Sequence, residues 1–195
     1  MSAPPVMVLA LLLILWFSGG VFARASELVW AIVNLAVFPA LAYPFSTIIP
    51  AWHAGGRDMQ RKLAFAFSSV GYTVLFAYGL IAQVSASAML IFGTYFFSLL
   101  VLVLLNKVAH QKASGHACSI TGPLILLVYF VGWTAAIPCA ALFAVILWSS
   151  VVLKRHTPKE FALGAISCLV GFFISLATFV LPPRLLNAEA GAIAV

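Results

Sequence analysis

Two short stretches of the chain gather residue types that handle phosphate. The first is Lys-Ala-Ser-Gly-His, from Lys112 to His116, and the second is Lys-Arg-His-Thr-Pro-Lys-Glu, from Lys154 to Glu160. With 10 basic and 4 acidic residues among 195, charge is scarce in this chain, so its concentration in these stretches requires an explanation. Lys and Arg bind phosphate oxygens, and imidazole can attack phosphorus or donate a proton. Together the stretches predict a phosphate-handling site.

The first stretch lies where a polar loop becomes an apolar helix. Ser114 suits the N-cap position, and the first backbone N–H groups of a helix favour an anion. Gly115 would let a ligand approach the backbone, Lys112 would add a positive charge, and His116 would stand beside a bound phosphate. Each feature alone is also typical of an ordinary helix start.

The second stretch places a carboxylate four residues after an imidazole. If a helix begins by His156, the spacing puts Glu160 on the same face, where it can accept the Nδ1 proton and leave Nε2 free as a nucleophile. Arg155 could grip phosphate oxygens through its planar guanidinium. The alternative interpretation is a basic loop at the membrane interface with an internal salt bridge.

The remainder of the chain is strongly apolar. Hydrophobic residues make up 65% and charged residues 7%, with a mean hydropathy of +1.18, whereas a soluble domain carries about a quarter charged residues. This composition predicts an all-α integral membrane helical bundle, a single domain over residues 1–195. The net charge of +6 lies in loops beside apolar spans, where it can meet anionic lipid head groups, and it does not indicate nucleic-acid binding.

The apolar runs predict six or seven transmembrane helices. They lie at about 6–23, 28–49, 63–83, 86–106, 115–132, 136–153 and 161–181, each close to the ~20 residues that cross a bilayer. The first run lacks a basic N-terminal region and is interpreted as a span, not a signal peptide. Gly132, Trp133 and Pro138 are all that separates the fifth run from the sixth. The alternative to seven full spans is therefore six full spans with one tilted or partial element.

Other features refine this prediction. Asn34, Pro39 and Pro44 interrupt the second run and predict a kinked helix packed inside the bundle. The three cysteines have no metal-binding spacing and are expected to be buried: Cys118, Cys139 and Cys168. The tail at 182–195 is expected outside the membrane.

Loop charges predict the orientation. With seven spans, the loops at 50–62, 107–114 and 154–160 share one face, and that face carries eight of the ten basic residues: Arg57, Arg61, Lys62, Lys107, Lys112, Lys154, Arg155 and Lys159. The opposite face has Arg24 and Arg184. The positive-inside bias puts the eight on the cytoplasmic side. Of these, Arg57, Arg61 and Lys62 are interpreted as separate from the site.

The two stretches are expected to meet. His116 and His156 are 40 residues apart with one helical hairpin between them. A hairpin returns to the face from which it starts, so both imidazoles can reach one phosphate.

The arrangement resembles the type 2 phosphatidic-acid phosphatase superfamily of membrane enzymes. Ala113-Ser114-Gly115-His116 matches three of the four positions of that family's P-S-G-H motif, and Ser149-Ser150, His156 and Glu160 follow the spacing of its S-R-x5-H-x3-D motif. Lys-Arg-His-Thr, with a Lys two residues before Ser-Gly-His, is similar to a short bacterial and archaeal branch. The likeness covers about 28–181, with an extra N-terminal span at about 6–23.

The resemblance implies a metal-independent lipid phosphatase without cofactor. His156 would form a phosphohistidine, His116 would protonate the leaving oxygen and Glu160 would orient His156. The phosphoryl oxygens would be held by Lys112, Ser114, Gly115 and Arg155. The substrate would be an isoprenoid diphosphate or a lipid phosphate, bound at the cytoplasmic face of a prokaryotic inner or plasma membrane.

Two departures from the family pattern leave alternatives open. The K-x6-R-P motif is absent, and Ser150 stands where the third motif has Arg. The second hypothesis is therefore a non-catalytic family member, either a lipid-binding protein or an accessory subunit of a membrane complex, and a homo-oligomer is also open. The third is a small-solute channel or transporter, which is disfavoured because the charges lie at helix ends.

Overall fold

The chain folds as a bundle of helices. The computed structural model describes residues 4–182, apart from the side chains of residues 51 and 57. Its helices are α1 Pro4–Ser18, α2 Ala25–Ile48, α3 Pro50–His53, α4 Gly56–Ile81, α5 Ala86–Val108, α6 Gly115–Val131, α7 Trp133–Val152 and α8 Pro158–Val180. The predicted all-α membrane bundle is confirmed: within residues 4–182, α2, α4, α5, α7 and α8 are long and apolar enough to cross a bilayer.

The seven predicted apolar runs correspond to α1, α2 and α4–α8, with shifted ends. α1 and α6 are apolar but shorter than the others, at 15 and 17 residues. α1 ends at Ser18 because Gly19 and Gly20 adopt φ values of 78° and 80°, which do not continue a helix. Gly132, with φ 92°, separates α6 from α7, so these two runs form distinct helices. Residues 183–195, including most of the tail expected outside the membrane, lie outside the described part.

The interruption expected in the second span is a π-helical turn at Ile32–Val37. It directly precedes the turn that holds Pro39, which cannot donate a backbone hydrogen bond. The buried Asn34 side chain donates to the carbonyl of Trp30 at 3.0 Å, and the Asn34 carbonyl lies against Gly71 of α4. Similar π-helical turns end α5 at Leu104–Val108 and α8 at Leu176–Val180.

α5 is the central helix, and it packs most extensively against α8. Small residues allow the two backbones to approach closely. Gly171 of α8 lies against Ser98 of α5, and Gly93 of α5 lies against Ser175 of α8. Because lipid is as apolar as the bundle interior, such small-residue contacts are a main source of helix association in membranes.

The N-terminal helix is part of the same bundle. α1 packs against α6 and against the π-helical turn of α2, and it buries Val8, Leu11, Leu12 and Leu15 completely or nearly so. This packing includes α1 in the folded bundle. The interpretation of the first run as a membrane span stays a prediction, because α1 is shorter than the five candidate spans.

A polar cluster ties two loops together at the end of the bundle opposite the two phosphate-handling stretches. Its centre is the fully buried carboxylate of Glu27, which accepts a hydrogen bond from the backbone N–H of Ala23 at 3.0 Å and contacts Arg24 at 3.4 Å. The hydroxyl of Ser85 donates to the carbonyl of Val21 at 2.9 Å. A buried carboxylate is tolerated only with such partners, so the cluster fixes these loops.

Close packing of α6 on α8 determines where the two stretches lie. The backbone carbonyl of Ser114, at the start of α6, lies directly against Gly164 in the second turn of α8, where a Cβ atom would overlap it. Gly164 therefore allows α6 and α8 to lie close together at the end of the bundle that carries the two stretches.

We predict that Gly164→Ala destabilises the protein. The added methyl group would push α6 away from α8, and overpacking of this kind costs about 1–3 kcal/mol. Thermal unfolding of the purified protein in detergent measures the effect, with Ala162→Val on the exposed face of the same helix as the control. Equal melting temperatures for Gly164→Ala and the wild type would contradict the proposed close contact.

Candidate active site

The site forms where α6 and α8 begin side by side. The backbone N–H of Ser114 donates to the carbonyl of Glu160 at 2.9 Å, so the first turns of the two helices are joined directly. The two motif stretches therefore meet at one end of the bundle, as the hairpin argument predicts. The positive ends of two helix dipoles also lie together there.

Ser114 is the N-cap of α6, as predicted. Its hydroxyl accepts the backbone N–H of Ala117 at 3.2 Å, and the side chain is buried. The N–H groups of Gly115 and His116 have no acceptor within the helix, as at any helix start. A Cβ atom on Gly115 would meet only Leu102, at 3.6 Å, so packing within the protein does not itself require glycine at this position.

The start of α8 differs from the expectation. The helix begins at Pro158 with Thr157 as its N-cap, so His156 precedes the helix instead of lying in its first turn. Thr157 and Glu160 form a capping box: the Thr157 hydroxyl accepts the Glu160 N–H, and the Glu160 carboxylate accepts the Thr157 N–H, both at 3.2 Å. The Thr-x-x-Glu spacing of a capping box was present in the sequence.

The Glu160 carboxylate connects both stretches. Its Oε1 atom is 3.2 Å from Lys112 Nζ, and its Oε2 atom is 3.4 Å from His156 Nδ1. The contact with His156 involves the two side chains predicted to pair, although a turn and not a helix face brings them together. Lys112 was predicted as a phosphate ligand, and its ion pair with Glu160 is an additional feature.

Burial lowers the pKa of His156, because removing the ring from water disfavours its charged form. Contact with the Glu160 carboxylate raises this pKa, while the positive charges of Arg61 and Lys112 lower it. The net pKa lies below the ordinary value of 6.5, so the free imidazole is neutral at neutral pH. A neutral ring held at Nδ1 leaves Nε2 available for attack on an electrophile.

Two adjoining clefts share Arg155. The first, open and about 350 Å³, is lined by Lys112, Val151, Lys154, Arg155, His156, Thr157, Pro158 and Glu160. The second, about 330 Å³ and more enclosed, is lined by His116, Leu142, Val145, Ile146, Ser149, Ser150, Leu153 and Arg155. The two histidines thus line neighbouring clefts, with Arg155 common to both. The first cleft is rich in cations, and the second continues along an apolar face of α7.

Ser150 stands beside His116 in the second cleft. Its side chain is buried, and its carbonyl accepts the backbone N–H of Arg155 at 3.0 Å. The bond holds the turn that follows α7 and places Arg155 between the clefts. Arg155, five residues further along the chain, therefore lines the same cleft as Ser150.

Two basic residues near the site had no role assigned to them from the sequence, although Lys154 belongs to the second stretch. Lys154 lines the first cleft, in a left-handed backbone conformation with φ 50°. Arg61, on α4, was interpreted as separate from the site, yet its charge acts on His156. No sequence spacing signals Arg61, because its position depends on how α4 packs in the bundle.

The remaining histidines line neither cleft. His53 and His110 are exposed in the described part of the chain. Within residues 4–182, no group of three or more His, Cys, Asp and Glu side chains has a metal-binding arrangement. The three cysteines are buried, as expected, and form no disulfide bond.

Comparisons with protein-family models, curated proteins and solved structures give no match. The resemblance to the phosphatidic-acid phosphatases therefore depends on the motif residues alone.

We predict that the pKa of His156 is below 6.5 and falls further in Glu160→Gln. The substitution removes the negative charge that favours the protonated ring, while burial and the nearby cations remain. NMR titration of the histidine side chains, with His156 assigned through His156→Ala, measures both values. A pKa in Glu160→Gln equal to or above that of the wild type would contradict the described contact.

Proposed function

We propose that the protein is a metal-independent membrane lipid phosphatase that hydrolyses an isoprenoid diphosphate or a lipid phosphate through a phosphohistidine on His156. The main support is the convergence of Lys112, Arg155, His156 and Glu160 on one open cleft at a helix-end surface of the bundle. This cleft is lined by three cationic side chains and one carboxylate, so it attracts an anion.

The second cleft supports an amphiphilic substrate. Its polar end has His116 and Arg155, and its walls are apolar side chains of α7, including Leu142 and Ile146. A phosphate held at Arg155 would have its leaving oxygen near His116 and its hydrocarbon chain along α7. Burial of each additional CH₂ group contributes about 0.8 kcal/mol to binding.

The proposed reaction has two displacement steps. In the first, Nε2 of His156 attacks phosphorus and forms an N–P bond, the P–O bond to the leaving group breaks, and His116 donates its proton to the leaving oxygen. In the second, water attacks phosphorus, His116 removes its proton, and the N–P bond breaks to release orthophosphate. Lys112, Arg155 and the N–H groups at the start of α6 would neutralise the phosphoryl oxygens.

The proton on His116 would depend on the substrate. Arg155 lines the same cleft and disfavours a second positive charge nearby. A bound phosphate brings negative charge and favours the protonated ring. His116 would therefore become protonated, and so able to act as the general acid, when the substrate binds.

The second candidate is that the protein binds lipid or serves as an accessory subunit, and hydrolyses no substrate. Ser150 in place of Arg favours it, as does the separation of His116 and His156 into two clefts. Such a protein would bind phosphate head groups at the same cations and release no orthophosphate.

We predict that orthophosphate release requires His156. His156→Ala removes the nucleophile and should lower the rate at least about a thousandfold, and Glu160→Gln should lower it about a hundredfold. The assay uses the purified protein in detergent with chelator present. The substrates are farnesyl, geranylgeranyl and longer polyprenyl diphosphates and phosphatidic acid.

His53→Ala is the matched control, because this imidazole is exposed and lines neither cleft. Its rate should equal that of the wild type. Full activity in His156→Ala would contradict the proposed mechanism. No release from any substrate, combined with retained head-group binding, would favour the accessory-protein function.

The proposed location is the cytoplasmic face of a prokaryotic inner or plasma membrane, on the basis of the loop charges. Since the native cysteines are buried, a single reporter cysteine can test the orientation. We predict that Lys159→Cys in intact cells resists a membrane-impermeant maleimide, whereas Ala86→Cys, at the other end of the bundle, reacts. Both residues are exposed, and the reverse labelling pattern would place the site outside.

A further inference from the structure

Asn106 makes three hydrogen bonds at the end of α5. Its Oδ1 atom accepts the backbone N–H of Ala113 at 3.1 Å, and its Nδ2 group donates to the carbonyl of the same residue at 3.3 Å. Nδ2 also donates to the carbonyl of Leu102 at 2.8 Å, which ties the amide to its own helix. One side chain thus satisfies both backbone polar groups of a residue seven positions away.

Ala113 is an important point in the loop that joins α5 to α6. Ala113 is buried, and its two neighbours make contacts at the site. Lys112 forms an ion pair with Glu160, and Ser114 caps α6. The Lys112 side chain is 84% exposed, so packing alone does not hold it against Glu160. The position of the backbone at Ala113 therefore determines where the Lys112 ammonium group can reach.

The rest of the loop is held by backbone bonds. The N–H of Gln111 donates to the carbonyl of Leu105 at 2.8 Å, and His110 turns the chain with a left-handed φ of 51°. The N–H of Ala113 is also 3.0 Å from the carbonyl of Gln111. Within residues 4–182, the side-chain hydrogen bonds that connect this loop to α5 come from the Asn106 amide, while Ala113 also packs against Leu102 and Leu105.

We propose that Asn106 is a positioning residue that holds the Lys112 loop in place and thereby sets the affinity of the site for phosphate. The inference rests on the proposed function, because it assigns Asn106 to the same phosphate site. The primary amide is suited to this role since it offers a donor and an acceptor side by side, as a peptide group does. Replacement by an apolar residue leaves the carbonyl of Ala113 without this partner and frees the loop.

The test measures the binding of orthophosphate to the purified full-length protein in detergent by isothermal titration calorimetry. Asn106→Ala and Asn106→Leu should each weaken binding about tenfold, which corresponds to about 1.4 kcal/mol. Two variants are used because Leu keeps the volume of the side chain and Ala does not. Leu104→Ala, an exposed change in the same π-helical turn, is the matched control and should bind like the wild type.

A double-mutant cycle separates positioning from a general loss of stability. If Asn106 acts through Lys112, then Asn106→Ala in a Lys112→Ala background should change the dissociation constant less than twofold. A tenfold effect in both backgrounds would overturn the inference, as would wild-type affinity in both Asn106 variants. Failure of the wild-type protein to bind phosphate would overturn the inference and the proposed function together, whereas tight wild-type binding with unaffected variants overturns the inference alone.

Discussion

The geometry of the candidate site depends on one partly buried carboxylate, that of Glu160. It accepts the N–H of Thr157 and so completes the capping box of α8. It also contacts the ring of His156 and forms an ion pair with Lys112, which lies in the loop between α5 and α6. Since charge is scarce in this chain, few other groups could balance the cations that line the cleft. A carboxylate that is partly removed from water is tolerated only with hydrogen-bond donors or cations beside it. The contacts that satisfy Glu160 therefore also hold its partners in place.

The helices bring these groups together through close backbone contacts. Gly164 lets the start of α6 lie against α8, and Gly171 and Gly93 let α8 lie against α5. The loop with Lys112 leaves α5 and enters α6, so its position follows from both helices. The site therefore depends on small residues that have no chemical role, because a larger side chain at Gly164 would separate Ser114 from Glu160.

The sequence predicted the membrane bundle because the apolar runs are long and charged loops separate most of them. It also predicted the Ser114 cap and the pairing of Glu160 with His156, since both depend on short spacings. The Lys112–Glu160 ion pair and the influence of Arg61 depend on tertiary packing that no short pattern records. The Thr157 capping box was readable from its Thr-x-x-Glu spacing, but Glu160 was interpreted only as the partner of His156. The family, the activity and the roles of the site residues stay predictions.

Covalent phosphorylation of His156 is the central claim, and rapid quenching tests it most directly. The wild-type protein is mixed with a prenyl diphosphate labelled in its terminal phosphate, quenched in alkali within milliseconds and digested. A phosphohistidine is stable in alkali and labile in acid, so the account predicts label with these properties on the peptide that contains His156, and none in His156→Ala. Orthophosphate release during the same interval, with no label on that peptide, would contradict it.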